Sequence, residues 1–70
     1  MTVGQKIKFY REKLDISQRA LSEVSGVHPV SIRKYETDVR SPSVETLIKL
    51  ANALQVNITD LLPDDDEKEE

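Results

Sequence analysis

Apolar residues recur at helical spacing in the first part of the chain. Val3, Ile7, Tyr10 and Leu14 are separated by steps of four, three and four residues, which places them on one face of a helix. The spacing predicts a first helix over residues 3–14. Asp15 follows directly, and a short polar residue of this kind can end a helix in the left-handed conformation.

Between residues 17 and 36 the apolar pattern indicates two short helices that cross. The apolar positions are Leu21, Val24, Val27, Ile32 and Tyr35. They do not form one continuous stripe, because Gly26 interrupts them and glycine can turn the chain at positive φ. Pro29 is tolerated only in the first turn of a helix, so the second helix should begin at about His28. Ser17 can cap the first of the two helices through its hydroxyl. This arrangement is typical of a helix-turn-helix.

Two more helices are predicted after this pair. The segment TDVRSPS is rich in turn-forming residues and predicts a loop, with Ser43 capping a fourth helix. The predicted buried face of that helix consists of Val44, Leu47, Ile48, Ala51 and Leu54. Asn57 can cap a short fifth helix, which Pro63 ends. The chain is therefore predicted to be all-α.

Charge divides the chain into two regions. The net charge is −3, yet residues 64–70, DDDEKEE, contribute −5. Residues 1–63 then carry nine basic and seven acidic side chains, a net charge of +2. We expect residues 1–63 to form the folded domain and residues 64–70 to be a disordered acidic tail. A mildly positive domain is compatible with binding to phosphates.

Composition argues against several other classes of protein. The 70 residues include one histidine and no cysteine, so most nucleophile–base pairs and thiolate metal sites are excluded. No run of apolar residues is long enough for a signal peptide or a membrane span. We expect a cytoplasmic protein that is not an enzyme and needs neither a metal ion nor a cofactor.

Particular residues within and after the predicted helix-turn-helix resemble those of the phage-repressor family, also called the Cro/C1-type or XRE family. They are Gln18, Leu21, Gly26, Val27, Ser31, Ile32, Glu36, Pro42, Ser43 and the apolar run 47–54. The resemblance extends over residues 3–62. It implies a compact, lambda-repressor-like bundle of five helices and binding of double-stranded operator DNA as a homodimer.

The resemblance also implies which side chains read bases. The corresponding positions are His28, Pro29, Val30 and Lys34, with Arg33 nearby. Lys34 can donate to guanine O6 and N7, Val30 can contact a thymine methyl group, and His28 could donate or accept. Pro29 and Val30 stand where polar residues are commoner, which leaves more of the specificity to the other three and to DNA shape. The alternative for Arg33 and Lys34 is that they are solvated helix charges.

Further residues are implied to contact phosphates or to hold the helices together. Gln18 lies at the start of the second helix, where an amide and the helix dipole can hold a phosphate. The other phosphate candidates are Arg19, Ser31 and Arg40. Arg11 and Glu36 resemble a family ion pair that orients the reading helix, although they could also be two surface charges.

We therefore interpret the chain as a sequence-specific transcriptional regulator, more specifically a repressor that binds an inverted-repeat operator through the major groove. The dimer contact is expected near the end of the fourth helix and at Val56, Ile58, Leu61 and Leu62. The alternatives are an antitoxin or a restriction-modification controller of the same fold, or a protein-interaction module whose acidic tail binds a basic partner. The tail could also begin the linker of a longer regulator.

Overall fold

The computed structural model describes residues 1–63, and every regular element in this part of the chain is helical. The elements are α1 (Val3–Lys13), α2 (Gln18–Ser25), α3 (Pro29–Glu36), α4 (Val44–Leu54) and a 3₁₀ helix (Ile58–Leu61). The all-α prediction is confirmed, with the fifth helix reduced to a single 3₁₀ turn. The predicted disordered tail, residues 64–70, lies outside the described residues. Within residues 1–63, no helix is long and apolar enough to cross a membrane.

Hydroxyl side chains fix the N-terminal ends of three helices. The hydroxyls of Thr2, Ser17 and Ser43 each accept the backbone N–H three residues further on, at 3.0–3.2 Å. The caps predicted at Ser17 and Ser43 are confirmed. At Thr2 the bond is reciprocated, because its own N–H donates to the side chain of Gln5 at 2.8 Å, completing a capping box.

Residues in the left-handed conformation end or follow three of the helices. Gly26 has φ 79° at the end of α2, Gln55 has φ 62° at the end of α4, and Asp15 has φ 59° just after α1. The roles predicted for Gly26 and Asp15 are confirmed. Because Gly26 has no Cβ, the chain can turn there within three residues and begin α3.

The core collects side chains from all five elements. Its buried members are Ile7, Leu21, Val27, Ile32, Tyr35, Leu47, Leu50, Ala51, Leu54 and Leu61. Helix α1 packs against α3, while α2 packs against both α3 and α4, and the 3₁₀ helix covers α4 and part of α1. Helix α3 is thus held from α1 and α2, and its opposite side stays open.

The prediction for the buried face of α4 is partly wrong. Val44 is 67% exposed and Ile48 is 46% exposed, whereas Leu50, which was not predicted, is fully buried. The reason is geometric, since Leu47, Leu50, Ala51 and Leu54 form the stripe that faces α2 and the 3₁₀ helix. Val44 and Ile48 lie on the flank of that stripe.

Three other apolar residues differ from their predicted positions. Val24 and Leu14 are predicted on buried helix faces but are exposed, Val24 on the open side of α2 and Leu14 at the C-terminal cap of α1. Leu61 was predicted to contact a second copy of the chain, yet its side chain is 0% exposed. Leu61 is part of the core and is not available for the predicted dimer surface.

Candidate nucleic-acid interface

One side of α3 and its cap carries all of the side chains predicted to read bases. We call this set the reading face, and its members are His28, Pro29, Val30, Arg33 and Lys34, all exposed. The other side of α3 carries Ile32, Tyr35 and Glu36, all buried. The division follows from the helical period, because residues three and four apart share a face.

The start of α3 is fixed by His28 and Pro29. His28 has a non-helical backbone, and its ring nitrogen Nδ1 accepts the backbone N–H of Val30 at 3.1 Å. Pro29 occupies the first helical position, where its missing N–H leaves no backbone group unsatisfied. The His28 ring is therefore attached to the helix rather than free to rotate.

The loop after α3 folds back onto the end of the helix. Asp38 adopts φ 62°, and its N–H donates to the carbonyl of Tyr35 at 3.0 Å. The next two N–H groups, of Val39 and Arg40, both donate to the carbonyl of Lys34, at 2.9 and 3.3 Å. Because of these bonds, Arg40 lies beside the last turn of α3, and its side chain is exposed.

An ion pair ties α1 to the end of α3. Arg11 donates from Nε to Glu36 Oε2 at 2.7 Å and from Nη2 to Glu36 Oε1 at 3.1 Å. Its Nη1 donates to the carbonyl of Ile16 at 2.8 Å. The side chains are only 12% and 3% exposed, and the hydrogen bond with Glu36 raises the pKa of Arg11 above its usual value. Such a bidentate pair, largely shielded from water, fixes the relative position of two helices.

Gln18 joins this pair, a contact that sequence reasoning did not predict. Its Nε2 donates to Glu36 Oε1 at 3.0 Å, so one carboxylate connects α1, α2 and α3. An amide nitrogen carries two hydrogens, which leaves Gln18 one N–H and its carbonyl oxygen for another ligand. Its half-buried side chain lies in the first turn of α2, where the sequence predicted that Gln18 itself contacts a phosphate.

The other predicted phosphate residues are distributed around α3 and are not gathered in one cluster. Arg19 is exposed in the first turn of α2, Arg40 is exposed beyond the end of α3, and Ser31 is half-buried in the first turn of α3. This distribution fits a helix in the major groove, because the phosphates that such a helix can contact lie on both sides of it.

A close contact between α1 and the end of α3 was also missed from the sequence. A Cβ on Gly4 would collide with the carbonyl oxygen of Tyr35 and would lie 2.7 Å from Oδ1 of Asp38. Beside it, the Thr2 hydroxyl donates to Asp38 Oδ2 at 3.1 Å. A glycine in the first turn of a helix is a sequence signal for close packing. Together these contacts position the loop that carries Arg40.

Comparison with known proteins assigns this arrangement to a family. A family model described as helix-turn-helix matches residues 7–61. The transcriptional regulator ImmR of Bacillus subtilis (strain 168) is 34% identical over 66 residues, which cover 94% of this chain and 52% of ImmR. The control protein C.SmaI of Serratia marcescens is 35% identical over 60 residues, covering 86% of this chain and 71% of C.SmaI.

A solved structure supports the same assignment. The c2 repressor of phage P22 in complex with a synthetic operator is 37% identical and superposes with a TM-score of 0.82, covering 89% of this chain and 94% of that one. The chain spans about half the length of ImmR, a curated relative that it matches. The chain belongs to the Cro/C1-type (XRE) helix-turn-helix family of DNA-binding transcription regulators.

Proposed function

We propose that this chain binds double-stranded DNA by placing the reading face in the major groove, and that it represses transcription from the bound operator. The observation that carries the proposal is the reading face itself, exposed on a helix that α1 and α2 hold in place. The similarity to the P22 c2 repressor, whose structure contains a synthetic operator, supports DNA as the ligand. The proposed activity is binding without catalysis, and we place it in the cytoplasm.

Base reading is assigned to the reading face. Lys34 is exposed and can donate to guanine O6 and N7, and the exposed methyl groups of Val30 fit against a thymine methyl. Arg33 is a second donor on the same face. The side chain of Pro29 can make no hydrogen bond to a base. Part of the sequence preference would therefore come from the shape and deformability of the DNA.

Phosphate binding is assigned to residues on either side of α3. Gln18 keeps one amide N–H beyond its bond to Glu36, and it lies at the positive end of the α2 dipole. Arg19, Ser31 and Arg40 would add contacts that fix the register on the duplex without reading its sequence. Because these contacts release counterions, affinity should fall steeply as the salt concentration rises.

Dimerisation is part of the proposal, and exposed apolar residues near the 3₁₀ helix support its location. Leu61 is excluded because it is buried in the core, whereas Leu62 is 40% exposed and Val56 and Ile58 are half-buried. Ile48 adds exposed apolar surface on α4. Two copies joined near these residues would bind an inverted repeat whose half-sites lie about one DNA turn, ~34 Å, apart.

A second candidate function is control of a restriction-modification system. C.SmaI is a control protein and is matched over 71% of its own length. Genes for a restriction endonuclease and a methyltransferase beside the gene for this chain would favour that role. Their absence would favour the repressor.

Selection of duplexes from a random DNA library tests the proposed function. At about physiological salt, non-specific binding is already weak, so only specific sites should be retained. We expect an enriched inverted repeat, whose half-site spacing would locate the dimer axis. A folded protein that enriches no sequence would contradict the proposal.

A further inference from the structure

The first turn of α3 fixes the tautomer of His28, one of the side chains of the reading face. Pro29 has no backbone N–H, so Val30 carries the first backbone donor of the helix, and that donor has no carbonyl partner within the helix. His28 supplies the missing acceptor through Nδ1, at 3.1 Å from the nitrogen of Val30. The bond requires a lone pair on Nδ1.

The lone pair on Nδ1 determines where the ring proton lies. In a neutral imidazole one nitrogen accepts and the other carries the hydrogen, so Nε2 of His28 is the N–H donor. Nε2 lies across the ring from Nδ1 and is therefore directed away from the backbone of α3. His28 is exposed, and within residues 1–63 its Nε2 takes part in no hydrogen bond.

The other members of the reading face offer no acceptor either. Arg33 and Lys34 are donors only, and the side chains of Pro29 and Val30 have no hydrogen-bonding group. We propose that the reading face recognises DNA through donors and apolar groups alone, with His28 as a donor locked by the cap of α3. This inference rests on the proposed function.

The base preference of such a face follows from the edges of the bases in the major groove. Guanine presents two acceptors, N7 and O6, and thymine presents the O4 acceptor and a methyl group, whereas cytosine presents only an amino donor. A donor at His28 should therefore favour guanine, or another base with an acceptor, over cytosine on the strand that it faces. Lys34 and Arg33 should favour guanine for the same reason.

Substitution of His28 can reverse this preference without removing the helix cap. In His28→Asp, one carboxylate oxygen can accept the N–H of Val30 and the other becomes an acceptor for DNA. Aspartate and serine are among the best N-cap residues, so the variants should remain folded. His28→Ser keeps the cap acceptor and replaces the ring N–H with a hydroxyl on a much shorter side chain, which extends less far toward DNA and provides a second variant.

The experiment first selects duplexes with the wild type and with His28→Ser, and identifies the base pair at which the two enriched sequences differ. Dissociation constants are then measured for duplexes with guanine or cytosine at that position. We expect the wild type to bind the guanine duplex about fivefold or more tightly, in line with the discrimination of a good side-chain–base contact. His28→Asp should prefer cytosine, and His28→Ser should bind the two duplexes within about twofold.

A new negative charge would weaken binding to both duplexes equally. The ratio of the two dissociation constants is therefore unaffected by it. The matched control is a base pair assigned to Lys34 by a Lys34→Ala selection, where the His28 variants should keep the wild-type ratio. Identical enriched sequences for the wild type and His28→Ser, or an equal loss on all duplexes, would overturn the assignment while leaving DNA binding intact. A wild type that enriches nothing would overturn both proposals.

Discussion

The guanidinium of Arg11 and the carboxylate of Glu36 meet in two hydrogen bonds, at 2.7 and 3.1 Å, that join α1 to the end of α3. Gln18 adds a third bond to the same carboxylate from the start of α2. The helix that carries the reading face is therefore held by directed polar contacts as well as by apolar packing. These contacts should fix the position of α3 relative to both α1 and α2.

Removal of the carboxylate should destabilise the fold. In Glu36→Ala the nearly buried guanidinium of Arg11 loses its counter-charge, and breaking a buried pair in this way typically costs 3–5 kcal/mol. We expect the free energy of unfolding to fall by about 3 kcal/mol, measured by urea denaturation. Affinity for the operator should fall as well, because Gln18 loses its partner.

Glu23→Ala is the matched control, since Glu23 is exposed in α2. It should change the free energy of unfolding by less than about 0.5 kcal/mol. Equal effects of the two substitutions would mean that Arg11 and Glu36 behave as ordinary surface charges.

Gly4→Ala should also be destabilising, although alanine favours helix formation. The added Cβ would collide with the carbonyl oxygen of Tyr35, a backbone atom that cannot rotate away. We expect a loss of about 2 kcal/mol or more in the free energy of unfolding, as for other overpacked sites. In Gly26→Ala the Cβ meets no atom within 4 Å, and only the left-handed φ of 79° opposes it, so the loss should be about 1 kcal/mol. The reverse order in thermal or urea unfolding would show that α1 and α3 are not in close contact.

Lys34→Ala should weaken operator binding without affecting stability. Lys34 is exposed on the reading face, and loss of a base contact typically reduces affinity by 1–3 kcal/mol, or about fivefold or more. Lys49→Ala removes the same charge from the exposed side of α4 and should leave affinity almost unchanged. Fluorescence anisotropy with a labelled operator measures both. If the two variants lose affinity equally, Lys34 contributes only to the overall charge.

Leu62→Asp should weaken the proposed dimer. Leu62 follows the 3₁₀ helix and is 40% exposed, so part of the ~1.5–3 kcal/mol for full burial of a leucine is available to the contact. With a charge in its place, the dissociation constant of the proposed dimer should rise about tenfold. Phe9→Asp replaces an exposed apolar residue on α1 and serves as the control. Sedimentation velocity distinguishes them, and a dimer weakened only by Phe9→Asp would place the contact on α1.

The helix ends could be predicted from the sequence because their causes are local. Ser17 and Ser43 bond to groups three residues away, and Asp15 and Gly26 need only a conformation that their own side chains permit. The buried face of α4 could not be predicted in full, because Ile48 and Leu50 are equally apolar. Only the position of the neighbouring elements decides that Leu50 is buried.

In the candidate site too, local features could be predicted from the sequence, whereas contacts between distant residues could not. That His28, Val30 and Lys34 share an exposed face follows from the helical period and the buried Ile32. The bond from Gln18 to Glu36 spans 18 positions and depends on how α2 lies against α3. The donor state of His28 depends on the geometry of a single cap, so the sequence left both donation and acceptance open.

The most direct test of the proposed interface is an amide chemical-shift titration of the ¹⁵N-labelled protein with an operator duplex obtained from the library selection. We expect the largest shifts at the backbone amides of α3, in the first turn of α2 and in the loop that contains Arg40. Amides on the outer face of α1, near Lys8, should change little. Shifts confined to α1 or to α4, with α3 unaffected, would contradict recognition by the reading face.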